Sequence, residues 1–217
     1  MANASTTGFG LRTTMVVGNT PATSGQSEYK IKSGLGVGIF KNNPVSLQDS
    51  GGDQGYLQDA SFATTDDGGS GGAAYDNSGH APLIGSFNGC FFVNSTTKKP
   101  TFANSVAAST TFGTDYNTGS NDGIGFVNDN PQQEYVIKAD AAVTQAMIGD
   151  AGYNTNSFTA GNAKDGQSTV TLDIGGGAAT THMFKLVRSA DDPENNDLTA
   201  VGANVVVSIA QASNLYN

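Results

Sequence analysis

The sequence is poor in charge, and what charge it has is mostly acidic. Charged residues make up 13% of the 217 residues, and 19 Asp and Glu against 10 Lys and Arg leave a net charge of −9. So small a charged share argues against ordinary disorder, which combines high net charge with low hydrophobicity. The acidic excess repels phosphate backbones and anionic lipid headgroups, so nucleic acid is not an expected partner.

The chain is also short of the residues that carry most enzyme chemistry. Its single cysteine, Cys90, excludes an internal disulfide, and its place in the apolar run Gly89–Val93 predicts a buried small hydrophobe. A cysteine nucleophile needs a nearby histidine base, but nothing in the sequence pairs His80 or His182 with Cys90. Neither histidine lies at the sequence spacing from other potential ligands that is typical of a metal site. We therefore expect no catalytic, cofactor or metal site and no enzyme activity.

Long apolar runs are missing as well. No window approaches the length of a membrane span, and the first residues lack the basic start and apolar core of a secretion signal. We therefore expect synthesis in the cytoplasm and no membrane partner.

What the sequence does contain is many short alternating segments separated by turn residues, including 29 glycines. The clearest lie at 183–187 and 203–210, where Val205, Val207 and Ile209 alternate with Val206 and Ser208. This period of two predicts a pair of antiparallel strands closing one end of a sheet. The pattern as a whole predicts an all-β fold, a β-sandwich or barrel-like domain of antiparallel strands.

The division of the chain follows from the same pattern. Residues 28–217 are predicted to form one β-rich domain with long Gly- and Asn-rich loop insertions at about 49–82 and 104–122. A hairpin is expected over 83–102, and one short helix over 140–148, with Asp140 as its N-cap and Gly149 at its stop.

Residues 1–27 are rich in Thr, Ser, Gly and Asn and predict an extended N-terminal arm rather than a packed element. Its scattered apolar residues need a surface to bury against, and a frayed terminus is the alternative. The candidate binding residues of this arm are Phe9, Leu11, Arg12, Met15, Val16 and Val17.

Several other motifs are better explained by turns. Gly68–Gly72 matches G-x-S-x-G, but it lacks the strand and helix that a nucleophile elbow needs. The acidic pairs Asp66-Asp67 and Asp191-Asp192 and the run 128–130 fit no calcium loop, although a structural calcium ion remains a minor hypothesis.

A series of short segments, in order along the chain, resembles the capsid decoration or cement proteins of tailed phages, particularly marine and cyanobacterial ones. The segments are GFGLR at 8–12, EYKIKSGLGVGIF at 28–40, NPV at 43–45, GSFNGCFF at 85–92, PTF at 100–102, NDNPQQEYVIKAD at 128–140, VTLD at 170–173 and LVRSADDPENN at 186–196.

This resemblance implies a structural virion protein on the outer surface of an icosahedral bacteriophage capsid, made in the host cytoplasm. Its partner would be the major capsid protein of the same phage, and it would form a homo-oligomer, a trimer or a dimer. The resemblance supplies no catalytic residues. The alternative is a carbohydrate-binding or fibre-type adhesin domain, in which tyrosines such as Tyr56, Tyr75 and Tyr116 stack on sugar rings.

Overall fold

The computed structural model describes most of the chain, and the fold is all-β, as predicted. The described residues are 3–18, 20–21, 25–48, 53–60, 83–116, 118–150, 152–156, 161–178, 182–210 and 214–216. The strands are β1 (Arg12–Val16), β2 (Thr20–Pro21), β3 (Ser27–Ile31), β4 (Ile39–Phe40), β5 (Pro44–Leu47), β6 (Leu57–Asp59), β7 (Leu83–Val93), β8 (Pro100–Ala103), β9 (Ser105–Val106), β10 (Gly123–Asn128), β11 (Gln133–Lys138), β12 (Asn154–Thr155), β13 (Gly161–Asn162), β14 (Gln167–Ser168), β15 (Leu172–Asp173), β16 (Phe184–Ser189) and β17 (Asn204–Ile209).

The first sheet has the order β16-β17-β11-β1-β2 and is antiparallel throughout. The C-terminal strand pair predicted from alternation is confirmed: Leu186 lies opposite Val207, and β16 forms one edge of the sheet. Val205 and Val207 are fully buried, because their face of the sheet covers the first hydrophobic core. Tyr135 and Ile137 of β11 lie beside them in the same core.

The second sheet has the order β3-β10-β7-β5-β6, and β8 pairs with β7. The predicted hairpin over 83–102 is confirmed as β7 and β8. The Asn94 side chain stabilises its turn by accepting the N–H groups of Thr96 and Thr97 at 2.9 Å. Although β10 and β11 follow one another in sequence, they belong to different sheets, so the turn at 129–132 crosses between the two.

The second sheet curls until its ends approach each other. Leu57 of the last strand packs over Gly125, where a β-carbon would meet Leu57 at only 2.6 Å. Lys32, just after β3, pairs with Asp53, just before β6. The curl encloses a second core, which includes Ile31, Val45, Leu57, Phe87, Cys90 and Val127.

In the sequence, Val170, Leu172 and Ile174 alternate with polar residues over 168–174, which favours a strand. The structure keeps the alternation but forms no continuous strand there. Val170, Leu172 and Ile174 are all buried, but only short strands form there, with β14 paired to β13 and β15 paired to β12. The side chains alternate because the backbone is extended, even where no neighbouring strand continues the hydrogen bonds.

The helix predicted over 140–148 is wrong. Within the described residues this segment forms a single 3-10 turn, Gln145–Met147. Asp140 does not cap a helix; its carboxylate accepts the N–H of Ile174 at 2.8 Å instead. The N–H of Val143 donates to the carbonyl of Leu198 at 2.7 Å, a contact with a distant segment of the chain.

The division into an arm and a domain also needs correction. Residues 12–16 are extended, as predicted, but they form β1 inside the first sheet, paired with β11. The insertion predicted at 104–122 contributes to the second core through Val106 and Phe112. Of the insertion at 49–82, residues 53–60 include β6, whereas 49–52 and 61–82 lie outside the described residues.

Candidate interaction surface

Four apolar side chains point away from the second core on neighbouring strands, and we call them the aromatic face: Phe91, Phe102, Ile124 and Phe126. The register sets their proximity, because Phe91 lies opposite both Phe102 of β8 and Ile124 of β10. The rings of Phe91 and Phe102 lie 4.8 Å apart at an angle of 51°, a favourable tilted contact. Phe102 is nevertheless 74% exposed.

Adjacent residues of β7 show that the aromatic face is a distinct surface and not an extension of the core. Phe92, next to Phe91, turns inward and stacks on Phe112 at 4.7 Å, and Cys90 is buried in the second core. Successive side chains of a strand point to opposite sides, so Phe91 and Phe92 cannot both be core residues. A strand with phenylalanine on both sides therefore places one of them at the surface.

A cleft with a cavity volume of about 110 Å³ borders the aromatic face. Its lining is mainly apolar, from Phe91, Phe92 and Ile124, and its polar groups come from Lys30 and from residues such as Asp122. Asp122 pairs with Lys30 at 3.3 Å and accepts the hydroxyl of Tyr56 at 3.2 Å. An apolar centre with a polar, hydrogen-bonded border is the usual composition of a protein–protein interface.

The six residues predicted to bind through the arm do not act together. Leu11 is fully buried in the first core, and Phe9 and Val16 are half-buried. Only Arg12, Met15 and Val17 are exposed. The Arg12 guanidinium lies 4.5 Å from the centroid of the Phe9 ring, so a cation–π contact already holds it. Half of the predicted set therefore stabilises the domain itself.

The first residues described are held to the body of the domain by a polar network. The Asn3 side-chain amide donates to the carbonyls of Asp197 and Val201 at 3.0 Å, and its oxygen accepts the N–H of Asp197 at 3.0 Å. The N–H of Ala4 donates to the carbonyl of Glu194 at 3.1 Å. Residues 3–17 are therefore docked against the segment 194–201 and β11.

The residues considered for catalysis or metal binding lie apart. Burial raises the pKa of the Cys90 thiol to about 12, and His182 contacts the carbonyl of Gly152 at 3.2 Å. Among the described residues, no group of three His, Cys, Asp or Glu side chains is placed to hold a metal ion. Of the acidic turns, Asp129 accepts the Tyr29 hydroxyl at 2.8 Å, and Asp192 accepts the Asn204 amide at 2.5 Å. The remaining candidates from the sequence lie outside the described residues: His80, Asp66-Asp67 and Gly68–Gly72.

The tyrosines of the alternative hypothesis differ in exposure. Tyr116 is 84% exposed, Tyr56 is half-buried with its hydroxyl bound to Asp122, and Tyr75 lies outside the described residues. The aromatic face was missed by sequence reasoning. The signal available was the pair Phe91-Phe92 inside a strand, which requires one outward-facing ring.

Comparison with known proteins adds no relative: no family model, curated protein or solved structure matches the chain. In the described part of the molecule, no helix has the length and apolar character needed to cross a membrane.

Proposed function

We propose that the protein is a structural virion protein that decorates and stabilises the outer surface of an icosahedral bacteriophage capsid by binding the major capsid protein. The observation that carries the proposal is the exposure of Phe102 and its contact with Phe91. Both phenylalanines belong to segments that resemble the capsid decoration proteins, GSFNGCFF and PTF. Residues of those segments that are not needed by the core are the ones expected to bind a partner.

The chemistry of the surface supports a role in binding. Exposed aromatic side chains are among the residues that contribute most to protein–protein contacts, because they bury a large area at a low cost in conformational entropy. Arg12, Met15 and Val17 form a second, smaller exposed group on β1 and the turn that follows it. Many copies on one shell would add weak contacts by multivalency, which suits a cementing role.

The test has two stages. Purified particles are fractionated and analysed for this chain, and its absence from intact virions rejects the proposal. Stripped or unfilled shells are then incubated with the purified protein and with a Phe102→Thr variant. We expect the wild-type protein to sediment with the shells and the variant to bind at least about ten-fold more weakly, as for an aromatic residue central to an interface. A glycan array tests the alternative adhesin function on the same preparation.

A further inference from the structure

Lys138, the last residue of β11, is a lysine with almost no solvent access. It is 2% exposed, and its Nζ donates to the carbonyls of Ser5 at 2.8 Å and Gly202 at 3.0 Å. Its third neighbour is a side-chain amide: Nζ lies 3.3 Å from Oδ1 of Asn195, which is 9% exposed. A potential nucleophile and a side-chain amide are therefore in hydrogen-bond contact, and both residues are largely closed to water.

The groups around Asn195 activate its amide. The backbone N–H of Ser5 donates to the same Oδ1 at 3.1 Å and so polarises the carbonyl. The amide nitrogen donates to Oδ2 of Asp192 at 3.4 Å. Asp192 is fixed in turn by the N–H of Glu194 at 2.9 Å and by the Asn204 amide at 2.5 Å.

We propose that Lys138 and Asn195 form a spontaneous intramolecular isopeptide bond, with Asp192 as the group that transfers the proton. The assignment goes beyond the proposed function and does not depend on it. It rests on a lysine, an asparagine and an aspartate that meet inside the fold, with a backbone N–H directed at the reacting carbonyl.

The reaction balances without a cofactor. Neutral Nζ attacks Cγ of Asn195, and the negative charge that develops on Oδ1 is stabilised by the N–H of Ser5. The proton released from Nζ as the new bond forms is transferred to Nδ2 through the Asp192 carboxylate, whose Oδ2 lies 3.4 Å from Nδ2. The Cγ–Nδ2 bond breaks, ammonia leaves, and an Nζ–Cγ amide remains. A proton carried by the lysine at the start departs with ammonia as ammonium.

The protonation states favour this course. Burial lowers the pKa of Lys138, against the opposing effect of the nearby Asp192 charge, and so increases the neutral fraction that attack requires. The N–H of Glu194, with the Asn195 and Asn204 amides, lowers the pKa of Asp192, so this carboxylate is ionised and able to accept the proton. Holding reactants at contact distance in a closed site supplies much of the rate enhancement in such reactions.

The bond would join two parts of the chain separated by 57 residues, β11 and the loop before β17. It would also fix the cradle in which residues 3–9 lie, because Ser5 contacts both reacting residues. With one cysteine, the chain has no disulfide of its own that could supply such a covalent tie.

Intact-mass spectrometry of the purified full-length chain, denatured after prolonged incubation at physiological temperature, tests the bond. We expect a mass lower than the sequence mass by one ammonia, and a tryptic digest containing one species that joins the Lys138 and Asn195 peptides. The full sequence mass in the wild-type chain overturns the proposal. It then shows that Lys138 is only an ammonium ion held by its oxygen acceptors.

Variants separate the roles of the three residues. Lys138→Arg keeps the positive charge but cannot form the amide and should retain the full mass, whereas Lys185→Arg, at an exposed lysine, should lose ammonia as the wild type does. Asp192→Asn should retain the full mass, and loss of ammonia in that variant would remove Asp192 from the reaction. A succinimide at Asn88-Gly89 gives the same mass change, but it produces no joined peptide and opens in mild base. If it accounts for all the ammonia lost, the proposal is overturned.

Discussion

At the scale of single residues, the contrast between Phe92 and Phe102 separates stability from binding. Phe92 packs against the second core and stacks on Phe112, whereas Phe102 is 74% exposed. We expect Phe92→Thr to lower the free energy of unfolding by about 2 kcal/mol, because it opens a cavity beside the core. Phe102→Thr should cost less than about 1 kcal/mol, mainly the lost ring contact with Phe91. Urea denaturation of the two matched variants measures both values, and equal losses would show that the aromatic face is part of the core.

The Cys90 thiol provides a second prediction at this scale. Burial raises its pKa from 9.0 to about 12, and the thiolate is the reactive form. The folded protein should therefore resist iodoacetamide at pH 8 and react fully once unfolded in urea. The folded protein binds the thiol proton more tightly than the unfolded chain does. The stabilisation from the buried thiol is therefore complete below pH 9, and the free energy of unfolding falls as the pH rises from 9 toward 12. Labelling followed by mass spectrometry checks the first statement, and rapid labelling of the folded chain would contradict the burial of Cys90.

At the scale of elements, β1 decides whether the N-terminal residues form a separate arm. The Leu11 side chain is fully buried, with 0% of its surface accessible to solvent, whereas Val17 is 57% exposed. Leu11→Ala should lower the free energy of unfolding by about 3 kcal/mol, and the matched Val17→Ala by less than about 0.5 kcal/mol. Removal of residues 1–16 should destabilise the domain further, because β11 loses one of its two neighbouring strands. A truncated protein as stable as the full chain would restore the idea of a dispensable arm.

For individual strands, the sequence predicts which side chains share a face better than it predicts which strands pair with each other. Val205 and Val207 could be assigned to one face because the period of two depends only on neighbouring residues. The order of strands could not, since pairing β1 with β11 depends on contacts more than one hundred positions apart. The prediction of a helix over 140–148 was wrong for a related reason. Asp140 is a residue type that often caps helices, but here its carboxylate accepts the N–H of Ile174 at 2.8 Å. The aromatic face was missed because Phe91 and Phe92 are equally apolar, and only register shows which one points outward.

At the scale of the whole molecule, the two cores of the described residues leave the aromatic face open on an acidic protein. The first core covers the strands from β16 to β1, and the second lies inside the curled sheet from β3 to β6. The aromatic face lies outside the second core, on the strands where the segments GSFNGCFF and PTF meet. A net charge of −9 opposes the close approach of other acidic surfaces, so association through the aromatic face depends on the apolar area that it buries.

This balance of charge and apolar contact predicts how binding to a shell depends on salt. If the aromatic face makes the main contact, its contribution to the binding free energy is insensitive to ionic strength. Repulsion between neighbouring acidic copies is screened by salt, because the Debye length falls from about 10 Å at 0.1 M to about 3 Å at 1 M. Saturating occupancy of stripped shells should therefore stay constant or rise over that range, and it should fall at every salt concentration for Phe102→Thr. Sedimentation of shells with labelled protein across a sodium chloride series measures occupancy directly. A steep loss of binding with salt would instead place the contact on charged groups such as Arg12, and an Arg12→Gln variant would then lose both the binding and its salt dependence.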